Sequence, residues 1–416
     1  MNHTESGQGR LFVASFSLFR QASGNISNES FSNRNLVDNS FFAYNIISRN
    51  SSRKRKDVFM KRIVMTGGGT AGHVTPNIAL MPALKEAGYD IQYIGSHNGI
   101  EKELIEAQGI PYTGIESGKL RRYFDPKNFS DPFRVIKGYA QALRLMHKLK
   151  PDIVFSKGGF VSVPVVLAAK TCGVPAIIHE SDITPGLANR IAIKGARKVC
   201  CNFPETLKYL PADKAVLTGS PIRRELFSGN PEKAYKLCGF PAEKKPVLLI
   251  IGGSLGSRAI NEAVRKILPE LLKSFYIIHL CGKGNLDETL VGTSGYTQFE
   301  YVSAELTDML ALADLAISRA GANSICELLA LHKPNILIPL SAAASRGDQI
   351  LNAKSFEKQG FSYVIAEEDV TDEVLLSAVR DVFANRQKYM DAMSQSGQMD
   401  SIGTILDLIE KERKNK

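Results

Sequence analysis

Two stretches of this sequence share one design, and that repetition limits the fold more than any other feature. "RIVMTGGGTAGHVTPNIAL" begins at Arg62, and "PVLLIIGGSLGSRAINEAV" begins at Pro246. Each reads as an apolar strand, a glycine-rich turn and a helix. They stand about 190 residues apart, which suggests two similar α/β domains. "DIQYIG", "DIVFS", "AIIH", "KVCCN" and "AVLTG" follow the first opening as short strands. "FYIIHLCG", "LAISRAG", "NILIPL" and "SYVIA" follow the second. Strands alternating with helical periods read as parallel βα units. The joint falls near "TGSPIRREL", where Pro221 follows a strand. In open α/β sheets, ligands sit outside the carboxyl ends of the strands. Two such domains facing each other make a cleft lined by strand-end loops. In the first helix, Thr75 is the expected N-cap, Pro76 sits in the first turn and Gly88 at the end. Pro82 should kink that helix or break it.

Length and composition add bounds. A chain of 416 residues favours two or three domains. Its apolar runs, such as "VLLII", fall far short of the roughly 18 residues a membrane span needs. Six cysteines with no C-x-x-C fit neither a zinc site nor a disulfide framework, so reduced thiols of a cytosolic protein are expected. Residues 1–59 are rich in Ser, Asn and Phe and hold no lasting period. They are expected to be disordered, or to reflect a start codon chosen too far upstream of Met60. They lack the order of a signal peptide. The net charge of +10 suggests an acidic partner. From Lys119 to Lys150, nine Lys/Arg against two Asp leave +7. "DPFRVIKGYAQALRLMHKLK" is amphipathic: Phe133, Ile136, Tyr139, Leu143 and Met146 form one stripe, and Arg134, Lys137, Gln141, Arg144 and Lys148 another. It reads either as a solvated helix packed on a sheet or as a patch for anionic membrane, worth about 1 kcal/mol per basic residue.

The opening loop, "TGGGTAGH", contains G-x-G-x-x-G, the fingerprint of dinucleotide binding. Glycines at a strand-to-helix turn let backbone amides approach an anion. NAD also needs an acid at the end of the second strand. Here Asp90 stands at the wrong end, and the carboxyl end offers Ser96 and His97. His73, which the fingerprint does not require, reads as a proton acceptor or phosphate ligand, or as a packing residue. "KGGFVSVP" is either a second anion-binding turn or a plain βα turn. "IHESD" sets His179, Glu180 and Asp182 past a strand end. "GGSLGS" (Gly252 to Ser257) resembles a diphosphate cradle but lacks the G-K-[ST] of a P-loop. In "SRAGANSICELLAL", Glu327 falls in the first turns of a helix, where it can accept two ribose hydroxyls or simply favour the helix dipole. "SRGDQILNA" sets Asp348 and Gln349 at another helix start. No Asp-x-Asp is present, so no obligatory metal is expected.

"TGGGTAGHVTPNIAL", "KGGFVSVP", "HESDITPGLANRIA", "TGSPIR", "GGSLGSRAIN", "SRAGANSICEL" and "SRGDQILNA" occur in this order. Together they resemble the MurG family from about Met60 to the C-terminus. These are transferases that move GlcNAc from UDP-GlcNAc to undecaprenyl-pyrophosphoryl-MurNAc-pentapeptide in bacterial peptidoglycan synthesis. The resemblance implies a GT-B fold, two Rossmann-like domains with a deep interdomain cleft. It divides the chain into residues 60–222, the acceptor and membrane side; 223–398, the UDP-GlcNAc side; and 399–416, a helix packing back on the first domain. It implies that Val302 meets uracil, Glu327 the ribose, and Ser254 with the amides near Ala322, Asn323 and Ser324 the diphosphate. Arg223 adds positive charge there, and Gln349 binds GlcNAc hydroxyls. Thr70, Ala71, Gly72 and His73 face the transferred sugar and the acceptor. His73 is the candidate base, with Asp182 and Glu180 as rivals. Three positions depart from the familiar motifs: Asp182 for Asn, Asp348 for Gln and Ser324 for Thr. The implied partners are UDP-GlcNAc, the lipid-linked acceptor and an anionic membrane surface, with no nucleic acid and no cofactor. Cell-wall synthesis and division proteins are further candidate partners. The implied location is peripheral, on the cytoplasmic face of the membrane. Competing readings are a diacylglycerol glycosyltransferase, a UDP-GlcNAc 2-epimerase and a non-catalytic UDP-sugar sensor.

Overall fold

The computed structural model describes residues 60–118, 131–253, 255–342, 347–396 and 400–414. The expectations for residues 1–59, for Ser254 and for the basic stretch 119–130 lie outside these residues. Two parallel sheets carry the fold. The first has the order β3-β2-β1-β4-β5-β6-β7. Its strands are β1 (Lys61–Thr66), β2 (Tyr89–Ser96), β3 (Tyr112–Ile115), β4 (Ile153–Ser156), β5 (Ala176–Glu180), β6 (Lys198–Cys201) and β7 (Ala215–Leu217). The second has the order β10-β9-β8-β11-β12-β13. It is built from β8 (Val247–Ile251), β9 (Tyr276–Leu280), β10 (Tyr296–Phe299), β11 (Leu315–Ser318), β12 (Asn335–Leu337) and β13 (Tyr363–Val364). Both orders reverse beside their first strand, so both glycine loops sit at a switch point.

Central strands such as "IVFS" and "VLLII" are buried and almost wholly apolar because helices cover both faces of a parallel sheet. Val64, Val154 and Ile178 pack under the helices Asp131–Leu149 and Ser162–Thr171. Ile63, Met65 and Phe155 pack on the other face, against the helix Thr75–Glu86. Ile405 and Ile409 of the helix Ser401–Glu412 join that second layer. Ser401 Oγ donates to the carbonyl of Ser220 at 2.6 Å, and Lys61 pairs with Glu410 at 2.7 Å. The end of the chain thus returns to the first sheet.

The sequence reading omits β3 and β10. Both are edge strands, "YTGI" and "YTQF", only partly buried, so they lack the apolar run that marks central strands. Pro82 does not break its helix. It lies on the exposed face, where the carbonyl that loses its partner can meet water. Thr75 is not the N-cap: it is the first helical residue, and its hydroxyl donates to the carbonyl of Ala71 at 2.7 Å. The amphipathic helix also differs from its expected stripe. Ala142 and Met146 are buried, and Tyr139 and Leu143 pack beside them, but Phe133 and Ile136 are 75% and 65% exposed.

The two domains meet in a small core. Ile183 and Phe203 from the first domain pack with Ile325, Ala353 and Phe356 from the second. Phe203 meets Phe356 edge-on at 5.9 Å.

Candidate active site

The opening loop already holds an anion of its own. Gly69 donates its amide to Glu101 Oε2 at 3.1 Å, and Ser96 donates its amide to Oε1 at 3.0 Å. Glu101 is fully buried. A Cβ on Gly68 would stand 2.5 Å from its carboxylate, so any larger residue there would have to push the Glu101 side chain aside. Burial opposes ionisation of Glu101, but the bonds from Ser96 and Gly69 prevail and hold its carboxyl below the usual range. A carboxylate of the protein therefore occupies part of the space that an anion at this loop would need. Thr70 is exposed, and Ala71 and Gly72 are half-buried.

His73 closes the short turn Ala71–His73. Its Nδ1 lies 3.1 Å from the carbonyl of Lys157. A carbonyl can only accept, so Nδ1 carries the proton and Nε2 keeps the lone pair. No described residue is bonded to Nε2. Burial, and then the charge of Lys157, hold His73 below its ordinary pKa, while Glu101 acts weakly in the opposite sense. The ring is a neutral imidazole with one nitrogen ready to accept a proton.

The "HESD" loop divides its work. His179 is buried, with Nδ1 2.7 Å from Lys157 Nζ and Nε2 2.9 Å from the carbonyl of Gly219. Glu180 accepts from the amides of Ser181 (2.9 Å), Asp182 (3.1 Å) and Gly186 (3.1 Å) and from Asn189 Nδ2 (2.8 Å). Its carboxylate organises the loop entering the helix Leu187–Ala192, which leaves it badly placed as a base. Asp182 is half-buried, and its Oδ1 accepts from Asn352 Nδ2 at 3.2 Å. Thr184 Oγ1 donates to Asp348 Oδ1 at 3.0 Å. The two aspartates that depart from the familiar motifs thus each meet a donor from the opposite domain, which gives the acceptor side chains a physical reason.

On the second domain, the helix Ala322–Ala330 follows β11. Glu327 lies just over one turn into it, with Oε1 3.8 Å from Arg223 Nη2. Burial raises the Glu327 pKa, and Arg223 only partly offsets this. Asn323 Nδ2 donates to the carbonyl of Gly72 at 2.9 Å. Arg223 Nε and Asn323 Oδ1 are buried and have no hydrogen-bond partner among the described residues. Both residues line a narrow crevice with Glu327, Thr75 and Ser220. Ala322 is buried, Ser324 and Val302 are half-buried, and Tyr301 is exposed. Gln349 Oε1 accepts from the amide of Leu340 at 3.0 Å, so this side chain also shapes a loop.

Three charged residues escape the sequence reading. Glu101 and Lys157 are described above. Arg319 is buried beneath the second glycine loop: Nη2 donates to Ser257 Oγ at 2.6 Å and pairs with Glu367, and Nη1 reaches the carbonyls of Ile338 and Pro339. Ser257 caps the helix Arg258–Lys266. "KGGFVSVP" and "SRAG" draw attention to their glycines. A basic residue closing an apolar strand is the signal that finds Lys157 and Arg319.

Residues 63–201 match the N-terminal domain of glycosyltransferase family 28, and residues 247–405 match its C-terminal domain. A relative from Lachnoclostridium phytofermentans is 66% identical over 354 residues, covering 85% of this chain and 99% of that one. It is named UDP-N-acetylglucosamine–N-acetylmuramyl-(pentapeptide) pyrophosphoryl-undecaprenol N-acetylglucosamine transferase. The chain belongs to the MurG family. A second relative of the same name, from Lachnospira eligens, is 64% identical, covering 85% of this chain and all of that one. The crystal structure of Acinetobacter baumannii MurG superposes with a TM-score of 0.67 at 27% identity, covering 84% of this chain and 99% of that one. The two parallel-sheet domains are those of the GT-B fold found in MurG-family glycosyltransferases.

Proposed function

We propose that this protein transfers GlcNAc from UDP-GlcNAc to the 4-hydroxyl of undecaprenyl-pyrophosphoryl-MurNAc-pentapeptide, in peptidoglycan synthesis. The observation that carries the site reading is the bond from Asn323 to the Gly72 carbonyl. It sets the His73 loop of one domain against the Glu327 helix of the other. In the proposed step, the acceptor oxygen attacks the anomeric carbon, the bond to the diphosphate breaks and UDP leaves. The hydroxyl proton passes to His73 Nε2. Attack opposite the leaving group turns an α-linked donor into a β-linked product. Glu327 receives the ribose hydroxyls, Val302 offers main-chain groups to uracil and Gln349 turns its amide toward GlcNAc. Arg223 and the start of the helix Ala322–Ala330 stabilise the charge on the departing diphosphate. Ser254 is proposed to join them, and Asp182 to help orient the acceptor.

The acceptor's prenyl chain calls for a membrane surface, and we place the enzyme peripherally on the cytoplasmic leaflet. No helix among the described residues is long and apolar enough to cross a membrane. The helix Asp131–Leu149 instead offers exposed Phe133 and Ile136 beside exposed Arg134 and Lys137. Apolar groups flanked by basic ones suit an anionic interface. Vesicle flotation checks this: binding should grow with anionic lipid content, and equal binding to neutral vesicles contradicts it. UDP release from UDP-GlcNAc, with and without the lipid-linked acceptor, tests the reaction. Release should require the acceptor. Formation of UDP-ManNAc, or transfer to diacylglycerol, would replace this reading.

A further inference from the structure

Lys157 is a residue for which the transfer step above supplies no task. It follows β4 directly, and its side chain is fully buried. Nζ lies 2.7 Å from His179 Nδ1 and 2.7 Å from Ser181 Oγ. An imidazole nitrogen and a hydroxyl oxygen therefore grip an ammonium group. Burying such a charge is unfavourable, and apolar side chains in place of Lys157, His179 and Ser181 together would fill the space more cheaply. Packing alone does not explain it. The carbonyl of the same residue is the acceptor for His73 Nδ1. His179 carries the connection on to the carbonyl of Gly219, just before the interdomain joint. Ser181 precedes Asp182, which reaches Asn352 of the second domain.

We propose that Lys157 is a positioning residue for glycosyl transfer: its carbonyl fixes the His73 ring with Nε2 as the basic nitrogen, and its ammonium, gripped by His179 and Ser181, ties that ring to the loop carrying Asp182. The inference rests on His73 acting as the base. Charge adds to geometry. The charged groups facing His73 are Lys157, from the end of β4, and Glu101, from the helix Ile100–Glu106. Their effects are opposite, and Lys157 is the stronger. The groups facing Lys157 are His179, Glu180, Asp182, Cys200 and, across the domain interface, Cys326. Burial brings Lys157 itself down to about 8, so it remains mostly cationic near neutral pH. A cation there disfavours a second proton on His73 and so keeps the base ready at lower pH.

The test is the pH dependence of kcat/KM in His73→Ala, Lys157→Met, Lys157→Arg and the wild type, with melting temperatures measured alongside. His73→Ala identifies the limb of the profile that belongs to the base. Lys157→Met removes a charge that holds His73 down, so the acid limb should move to higher pH, by a few tenths to about one pH unit. The loss of activity should then be greater near pH 6 than near pH 8.5, a pH dependence that the lower melting temperature expected from leaving His179 Nδ1 and Ser181 Oγ without a donor does not produce. Lys157→Arg, which keeps the charge, should leave the limb in place. If Lys157→Met does not fold, Lys157→Gln retains a donor toward His179 and Ser181 without the charge and reports the same limb. An unmoved limb in the neutral variants, or activity that falls only in step with melting temperature, overturns the proposal while leaving His73 as the base. An acid limb that persists in an active His73→Ala removes the base reading itself, and the proposal with it.

Discussion

The two glycine loops follow equivalent strands at the switch points of equivalent sheets, yet opposite charges stand behind them. Glu101 backs the opening loop and takes the Gly69 amide. Arg319 backs the second loop and holds Ser257, the cap of the following helix. The carboxylate takes up an amide that the glycine spacing would otherwise offer to a phosphate, although Lys157 outweighs its charge at His73. A guanidinium, even one paired with Glu367, leaves the second loop hospitable. Glycine spacing makes a loop that can approach an anion. The residue packed behind the loop decides whether the loop does. This difference supports the proposal that the donor diphosphate sits on the second domain and that the first loop, with His73, faces the acceptor.

The largest effect should come from His73. His73→Ala should lower kcat by roughly 10²- to 10⁴-fold, as expected for a lost general base, with little change in UDP affinity. A matching loss of UDP affinity would break the division between the loops. Glu327→Gln should raise KM for UDP-GlcNAc by about 10- to 100-fold, the equivalent of roughly 1.5–3 kcal/mol for hydrogen bonds to a charged group. Its stability should move the other way. Burial raises the folded-state pKa of Glu327, so its charge disfavours folding above the ordinary carboxylate range, and the amide should be the more stable side chain at neutral pH.

Glu101 carries the opposite sign. Its folded-state pKa lies below the ordinary carboxylate value, so it contributes stability above that value and loses it as pH falls through the lowered one. Glu101→Ala should cost about 1–3 kcal/mol at pH 7 in urea unfolding, because two amides lose their partner. The gap between wild type and Glu101→Gln should close below about pH 4.5. A gap that stays constant into acid would mean that Glu101 is not held as a carboxylate. Asn352→Ala should have the smallest effect, about 0.5–1.5 kcal/mol, since it removes one partly buried bond to Asp182 and one to the carbonyl of Ala320.

Much of this was legible in the chain. Apolar runs such as "VLLII" mark the central strands because both faces of a parallel sheet are covered. The glycine turns mark where the strands give way to helices. His73, Arg223, Glu327 and Asn323 lie at strand ends or helix starts, where local pattern points. What was hidden depends on long-range packing. Nothing in the neighbourhood of Glu101 announces that it will fill the loop at Gly69. The partners of Asp182 and Asp348 stand about 165 to 170 residues away in sequence, so their carboxylates look like anomalies until both domains are seen. Phe133 and Ile136 fit the helical stripe, yet they stay exposed while Ala142 and Met146 are buried.

The most direct test is titration of UDP into the wild type, His73→Ala and Glu327→Gln. If the opening loop serves the acceptor and the second domain holds the nucleotide, His73→Ala should bind UDP like the wild type, and Glu327→Gln should bind at least tenfold more weakly, about 1.4 kcal/mol. UDP binding that fails in His73→Ala and survives in Glu327→Gln would contradict the account.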